Sequence, residues 1–127
     1  MLVAPAVSVV MPAFDAAATI GAAATGVLWQ SGVELELIVV DDGSTDDTVD
    51  RCLAAGGLPH LRVLSLRDNR GKGYAVRVGM LAARGAWRVF IDADGSTSPT
   101  EIPKLLAPCL LYTSDAADDQ WRVGVGG

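Results

Sequence analysis

Three short runs in this 127-residue chain carry carboxylates in positions where chemistry is available. They are Met11-Pro12-Ala13-Phe14-Asp15, Val39-Val40-Asp41-Asp42-Gly43-Ser44-Thr45-Asp46 and Phe90-Ile91-Asp92-Ala93-Asp94-Gly95. Each closes an apolar stretch. Carboxylates gathered at strand ends repel one another and contribute nothing to a sheet, so a compensating partner is implied. That partner is either a set of hydrogen-bond donors on a ligand or a divalent cation.

Asp92-x-Asp94 is the sharper cluster. Two carboxylates two residues apart at the end of extended backbone point the same way. Hard oxygen donors of this kind suit Mg²⁺ or Mn²⁺, which keep several waters and bridge to substrate phosphates. A single loop aspartate reads equally well as an Asx-turn or helix cap. The apolar strand before Asp92 and the second acidic pair favour metal chemistry. Asp42 stands at a strand end, where its carboxylate is able to accept a hydrogen bond from a base N–H or a ribose hydroxyl. Ser44 to Asp47 read as a turn and helix N-cap. Positive charge comes from Asn69-Arg70-Gly71-Lys72-Gly73-Tyr74. Its glycines permit close backbone approach, and the helix N-terminus that follows favours anions. Lys72 is the candidate diphosphate partner, while Asn69 and the glycines serve backbone geometry.

These residues need a frame to bring them together. Apolar runs at 7–11, 35–40, 61–66 and 87–91 read as parallel strands covered on both faces. Helical patterns at 16–30, 46–55, 73–84 and 101–106 alternate with them; the third carries Ala75, Val78, Leu81 and Ala82 on one face. Strict β-α alternation implies a parallel α/β sheet with right-handed crossovers. Ligands of such sheets sit beyond the carboxyl ends of the strands, where the acidic runs fall.

Composition narrows the partners. With 50% apolar and 20% charged residues the chain belongs to the globular class. A formal charge of −5 argues against nucleic acid, so an anionic ligand needs local cations or a metal. Cys52 and Cys109 form no CxxC pair, which implies neither a disulfide framework nor a zinc site and fits a reducing, cytoplasmic setting. The N-terminus has neither a basic region nor a long apolar one, so no signal peptide is expected.

The four segments VSVVMPAFD, LIVVDDGSTDDT, NRGKGYAVRVGMLAARG and FIDADGSTSPTEIPKLL, in this order and spacing, resemble family-two glycosyltransferases of GT-A fold. They are similar above all to the polyprenyl- and dolichyl-phosphate glucosyl- and mannosyltransferases. The resemblance spans about 7–106. It implies a Rossmann-like, mostly parallel sheet with flanking helices, truncated, and an inverting hexosyltransferase. Pro12 and Phe14 would line the base and ribose pocket. Val40 and Asp42 would contact the base. Asp92, Ala93 and Asp94 would form the D-x-D element, with Asp94 the direct metal ligand. Phe14 stands where the family often has Tyr, and Asp15 where it often has Asn. Gly95-Ser96-Thr97 resembles the glucosyl-type members, which favours UDP-glucose over GDP-mannose as donor. Polyprenyl phosphate, at the cytoplasmic face of a membrane, is the implied acceptor.

The run from Cys109 to Asp119 resembles the translation of a sequencing-library adapter. The expectation is a nucleotide-sugar-binding half over 1–108 and a non-native tail over 109–127. The catalytic base is then expected in sequence beyond the D-x-D, and the chain alone is expected to be inactive. Two other readings exist: a non-catalytic nucleotide-binding fragment, and a haloacid-dehalogenase-like phosphohydrolase with Asp92 as nucleophile. The latter's motif belongs on the first strand of its sheet, whereas three strand–helix units precede Asp92. A P-loop fails at Leu66 and Gly73, and an EF-hand loop fails at Thr97 and Pro103.

Overall fold

The computed structural model describes residues 5–30, 34–56 and 60–95. The expected helix at 101–106 and the tail at 109–127, with Cys109, lie outside the described residues. Seven elements follow one another: β1 (Val7–Ala13), α1 (Ile20–Leu28), β2 (Leu35–Asp42), α2 (Thr48–Ala54), β3 (Leu61–Leu66), α3 (Lys72–Ala82) and β4 (Trp87–Phe90). The strands form one sheet in the order β3-β2-β1-β4, and every pairing is parallel.

Every residue of β1 and β2 is buried, because helices cover both faces of the sheet. Alternation along β1 divides its side chains. Val7, Val9, Met11 and Ala13 pack with Ile20, Ala23, Ala24 and Val27 of α1 and Cys52 of α2. Val10 packs on the other face with Ile38, Val40 and Ala75 of α3. Each fully buried Val, Leu or Ile contributes about 1.5–3 kcal/mol, so the two central strands carry most of the fold's stability.

The helices change faces once. α1 and α2 lie on one side and carry the chain outward from β1 to β3. α3 lies on the other side and returns it to β4. The strand order therefore reverses between β1 and β4, and the crevice beyond their carboxyl ends is where sheets of this kind bind ligands.

Several boundaries differ from the sequence reading, each for a local reason. β2 runs on to Asp42, since Asp41 and Asp42 remain in register with Ser65 and Leu66 of β3. The acidic pair is thus part of the strand. α1 begins at Ile20 because side chains of the β2–α2 loop and of Thr48, the first residue of α2, capture the N–H groups of Asp15, Ala16 and Ala17. α2 begins at Thr48, whose N–H donates to Asp46 Oδ1 at 3.0 Å; Asp47, the residue just before the helix, makes no side-chain cap bond. α3 packs with Ala75 and Val78 of the expected face but not with Leu81. Its buried residues are Ala75 and Gly79, Val78 is half-buried, and Leu81 is 74% exposed. A Cβ on Gly79 would lie 2.3 Å from Val10 Cγ1, so the missing side chain is what lets α3 settle onto β1.

Candidate functional site

The site grows from the end of β2. The Asp42 carboxylate is 3% exposed and holds the loop before α3. Its Oδ1 accepts the Arg70 N–H at 2.7 Å and its Oδ2 accepts the Gly71 N–H at 3.0 Å. Next to it, Gly43 has φ +76°, and a Cβ there would lie 2.5 Å from the Asn69 nitrogen. Only glycine lets that loop lie directly on the strand end. The loop in turn delivers Lys72, the first residue of α3. Lys72 Nζ lies 2.7 Å from Asp92 Oδ1 and 5.8 Å from the centre of the Phe90 ring. The Arg70 guanidinium is turned onto the Tyr74 ring, 5.0 Å from its centre.

A second set of bonds braces the opposite wall. Asp15 adopts φ +45°, a left-handed conformation that Asp tolerates better than most residues. Its N–H donates to Ser44 Oγ at 2.9 Å, and its Oδ1 accepts the Thr45 N–H at 2.8 Å. Ala16 N–H donates to Thr48 Oγ1 and Ala17 N–H to Asp46 Oδ2. The Thr48 hydroxyl, with the N–H groups of Thr48 and Ala17, holds the Asp46 carboxyl below the usual carboxylate range. Ser44, Thr45 and Asp46 are thus structural, as read from sequence: they tie two loops together, and Asp46 also accepts the first N–H of α2.

These walls enclose a cleft of about 320 Å³ lined by Pro12, Ala13, Phe14, Asp42, Asn69, Gly71, Lys72 and Asp92. It opens at the point where the strand order reverses. A neighbouring cleft of about 320 Å³ runs beside α1 past Ile91, Asp92, Asp94 and Gly95. Asp92 is common to both.

Residues 8–126 match the family described as Glycosyl transferase family 2. The chain belongs to that family. It is 45% identical over 92 residues to the dolichyl-phosphate beta-glucosyltransferase of Drosophila melanogaster, covering 70% of this chain and 28% of that protein. Its structure is similar to glucosyl-3-phosphoglycerate synthase from Mycobacterium tuberculosis in complex with Mn²⁺, UDP and glucosyl-3-phosphoglycerate. There the TM-score is 0.71 at 36% identity, over 84% of this chain and 40% of that one. It is also similar to a mannosyltransferase from Pyrobaculum calidifontis in complex with GDP-Man and Mn²⁺, with TM-score 0.66 at 28% identity, over 72% and 28% of the two chains. The matched segment spans between a quarter and two fifths of these relatives. The family-two chain is a glycosyltransferase sequence with the GT-A arrangement of parallel strands and flanking helices. The phosphohydrolase reading falls with this finding, and Asp92 follows the fourth strand, at the edge of the described sheet.

Within this family-two site, two of the residues singled out from sequence lie elsewhere. Val40 is fully buried beneath α3 and does not line the cleft. It shares a face with Asp42 but sits one residue pair deeper, where the helix covers it. Ala93 is 5% exposed and belongs to the core on the α1 side. The D-x-D geometry also differs from the expectation. β4 ends at Phe90, and Asp92-Ala93-Asp94 turns away from strand backbone, so Asp92 faces both clefts and Asp94 only the second. Asn69 is an added wall residue; its place in a turn-forming run concealed it.

The donor set decides which cation fits. Asp92 and Asp94 are hard oxygen donors, and among the described residues no three His, Cys, Asp or Glu side chains gather to hold a metal ion. Two carboxylates alone suit Mg²⁺ or Mn²⁺, which complete their shells with water and phosphate oxygens, and do not suit a closed zinc site.

At the opposite end of the sheet lies a buried ionic cluster that the sequence reading missed. Glu36, 3% exposed, accepts the Ser8 hydroxyl at 2.6 Å, Arg62 Nη2 at 3.0 Å and the Arg84 N–H at 2.8 Å. Burial alone would raise its pKa, but the Ser8 hydroxyl, the Arg84 N–H and Arg62 together lower it. Among the described residues no helix is long and apolar enough to cross a membrane.

Proposed function

We propose that the cleft between β1, β2 and β4 binds a nucleoside-diphosphate sugar and that UDP-glucose is the preferred donor. The observation that carries this reading is the convergence of Phe14, Asp42, Lys72 and Asp92 on one cleft at the switch point. Pro12, Ala13 and the half-exposed Phe14 ring offer an apolar wall for the base. An ionised carboxylate has about four acceptor positions, so Asp42 retains capacity for a base N–H or ribose hydroxyl beyond its two backbone bonds. Lys72 offers its ammonium to the diphosphate, and Asp92 and Asp94 hold the divalent cation. When bound, that cation neutralises charge on the departing diphosphate. The acceptor reading, polyprenyl phosphate attacking with inversion at a membrane face, draws on the likeness to dolichyl-phosphate glucosyltransferases. So does the expectation that residues up to 108 form the donor half of a larger site.

Calorimetric titration of the chain with UDP and GDP, with and without Mn²⁺, tests the donor site. UDP is expected to bind more tightly than GDP, and Mn²⁺ is expected to tighten UDP binding. Asp94→Asn should abolish the Mn²⁺ effect while leaving the circular dichroism spectrum unchanged. UDP binding that ignores Mn²⁺, or an Asp94→Asn protein that responds to it fully, would refute the metal assignment.

A further inference from the structure

Lys72 and a metal ion make claims on the same carboxylate. Lys72 Nζ lies 2.7 Å from Asp92 Oδ1. The Asp92 side chain is only 16% exposed, and the lysine is 47% exposed. The ammonium therefore sits against a mostly buried carboxylate on the side of the cleft that both residues line. A divalent cation on Asp92 shares the carboxylate with Lys72 or displaces it, and the two positive charges on one carboxylate repel at short range. Lys72 also has somewhere to go. It is the first residue of α3 and lines the same cleft as Asn69 and Gly71, so its flexible stem reaches both Asp92 and the space a diphosphate would fill.

We propose that Lys72 couples the binding of metal to the binding of donor. Without a diphosphate, Lys72 stays on Asp92 and weakens the cation's hold. A diphosphate draws the ammonium away, frees Asp92 for the cation and supplies the remaining ligands. Nucleotide and metal then bind with positive cooperativity, and by linkage each strengthens the other by the same factor. Lys72 acts here as a positioning residue: it governs which partner Asp92 accepts. This inference rests on the donor-site reading and adds the order of binding to it.

Mn²⁺ binding to the 127-residue chain, followed by the electron paramagnetic resonance of free Mn²⁺, provides the test. It is run with and without UDP, on the native chain, Lys72→Met and Lys72→Arg. Lys72→Met should bind Mn²⁺ alone about two- to fivefold more tightly than the native chain, the range expected from losing a partly exposed ion pair. It should bind UDP alone more weakly, and the factor by which UDP tightens Mn²⁺ should shrink. Lys72→Arg keeps a cation at the position and should keep Mn²⁺ weak. If Mn²⁺ and UDP bind the native chain but Lys72→Met binds Mn²⁺ alone no more tightly, this inference is wrong and the donor site stands. If neither ligand binds the native chain, both fail.

Discussion

Asp42 Oδ2 accepts the backbone N–H of Gly71 at 3.0 Å, and that bond joins the end of β2 to the loop that presents Lys72. With the Arg70 N–H on Oδ1, the carboxylate fixes two consecutive residues of that loop. A residue that appears from sequence to be aimed at a ligand is therefore also the fastener of its own site.

Replacing Asp42 should damage stability and binding together. Asp42→Ala leaves the Arg70 and Gly71 N–H groups without their acceptor, at a cost of about 1–3 kcal/mol. Asp42→Asn sets an NH₂ group against one of those N–H groups and should be no milder. Urea unfolding and UDP titration should both register the loss. Full stability in Asp42→Ala would mean that the loop is held by other contacts.

Two glycines of α3 should respond in opposite directions. Gly79→Ala forces a methyl to within 2.3 Å of buried Val10, and overpacking of this kind costs about 1–3 kcal/mol, more than the helix propensity gained. A Cβ on Gly73 meets nothing within 4 Å, so Gly73→Ala should stabilise by up to about 1 kcal/mol. Denaturation midpoints of the two variants should bracket that of the native chain.

The Glu36 cluster predicts an acid-sensitive component of stability. The folded-state pKa of Glu36 lies below its ordinary value of 4.5, so the folded protein binds this proton less tightly than the unfolded chain. The stabilisation is complete above that value and is lost as pH falls through the folded pKa. Glu36→Gln should lower stability at neutral pH by about 2 kcal/mol, discounted for the partial exposure of Arg62 and Arg84. The gap between the two proteins should close below pH 4.5, as read by thermal melts across the acid range. A constant gap at every pH would exclude the carboxylate as its source.

Cys52 should be chemically silent in the folded chain. It is fully buried, and burial, with the nearby Asp41 charge, pushes its thiol up to about 11. Peptide mapping after iodoacetamide treatment should find Cys52 unmodified until denaturant unfolds the protein. Rapid labelling under native conditions would mean that α2 opens readily from the sheet.

The strands were legible because β1 and β2 are buried on both faces and read as unbroken apolar runs. The helix starts were not, because Ser44, Asp46 and Thr48 capture backbone groups some thirty residues away. On α3, Ala75 and Val78 pack as expected, but Leu81 is exposed and the closest approach is made by Gly79, which carries no hydropathy signal. Glu36 stood inside the apolar run Leu35 to Val40, and its partners Ser8, Arg62 and Arg84 are scattered over three other parts of the chain. At the cleft, residue type pointed to Asp42, Lys72 and Asp92 and the family resemblance to Pro12 and Phe14, and the five line one cavity. Val40 and Ala93 differ because alternation and the turn after β4 direct their side chains into the core.

The bonds between the β1–α1 and β2–α2 loops bear on how this scaffold tolerates exchange of parts. Asp15 needs both Ser44 and Thr45, and Ala16 needs Thr48. A β1–α1 loop grafted from a relative would arrive without matching partners, and its left-handed residue would lose the contacts that stabilise it. The two loops therefore form one interchangeable cassette, to be transplanted or diversified together, while the loop before α3 forms a second, keyed to Asp42.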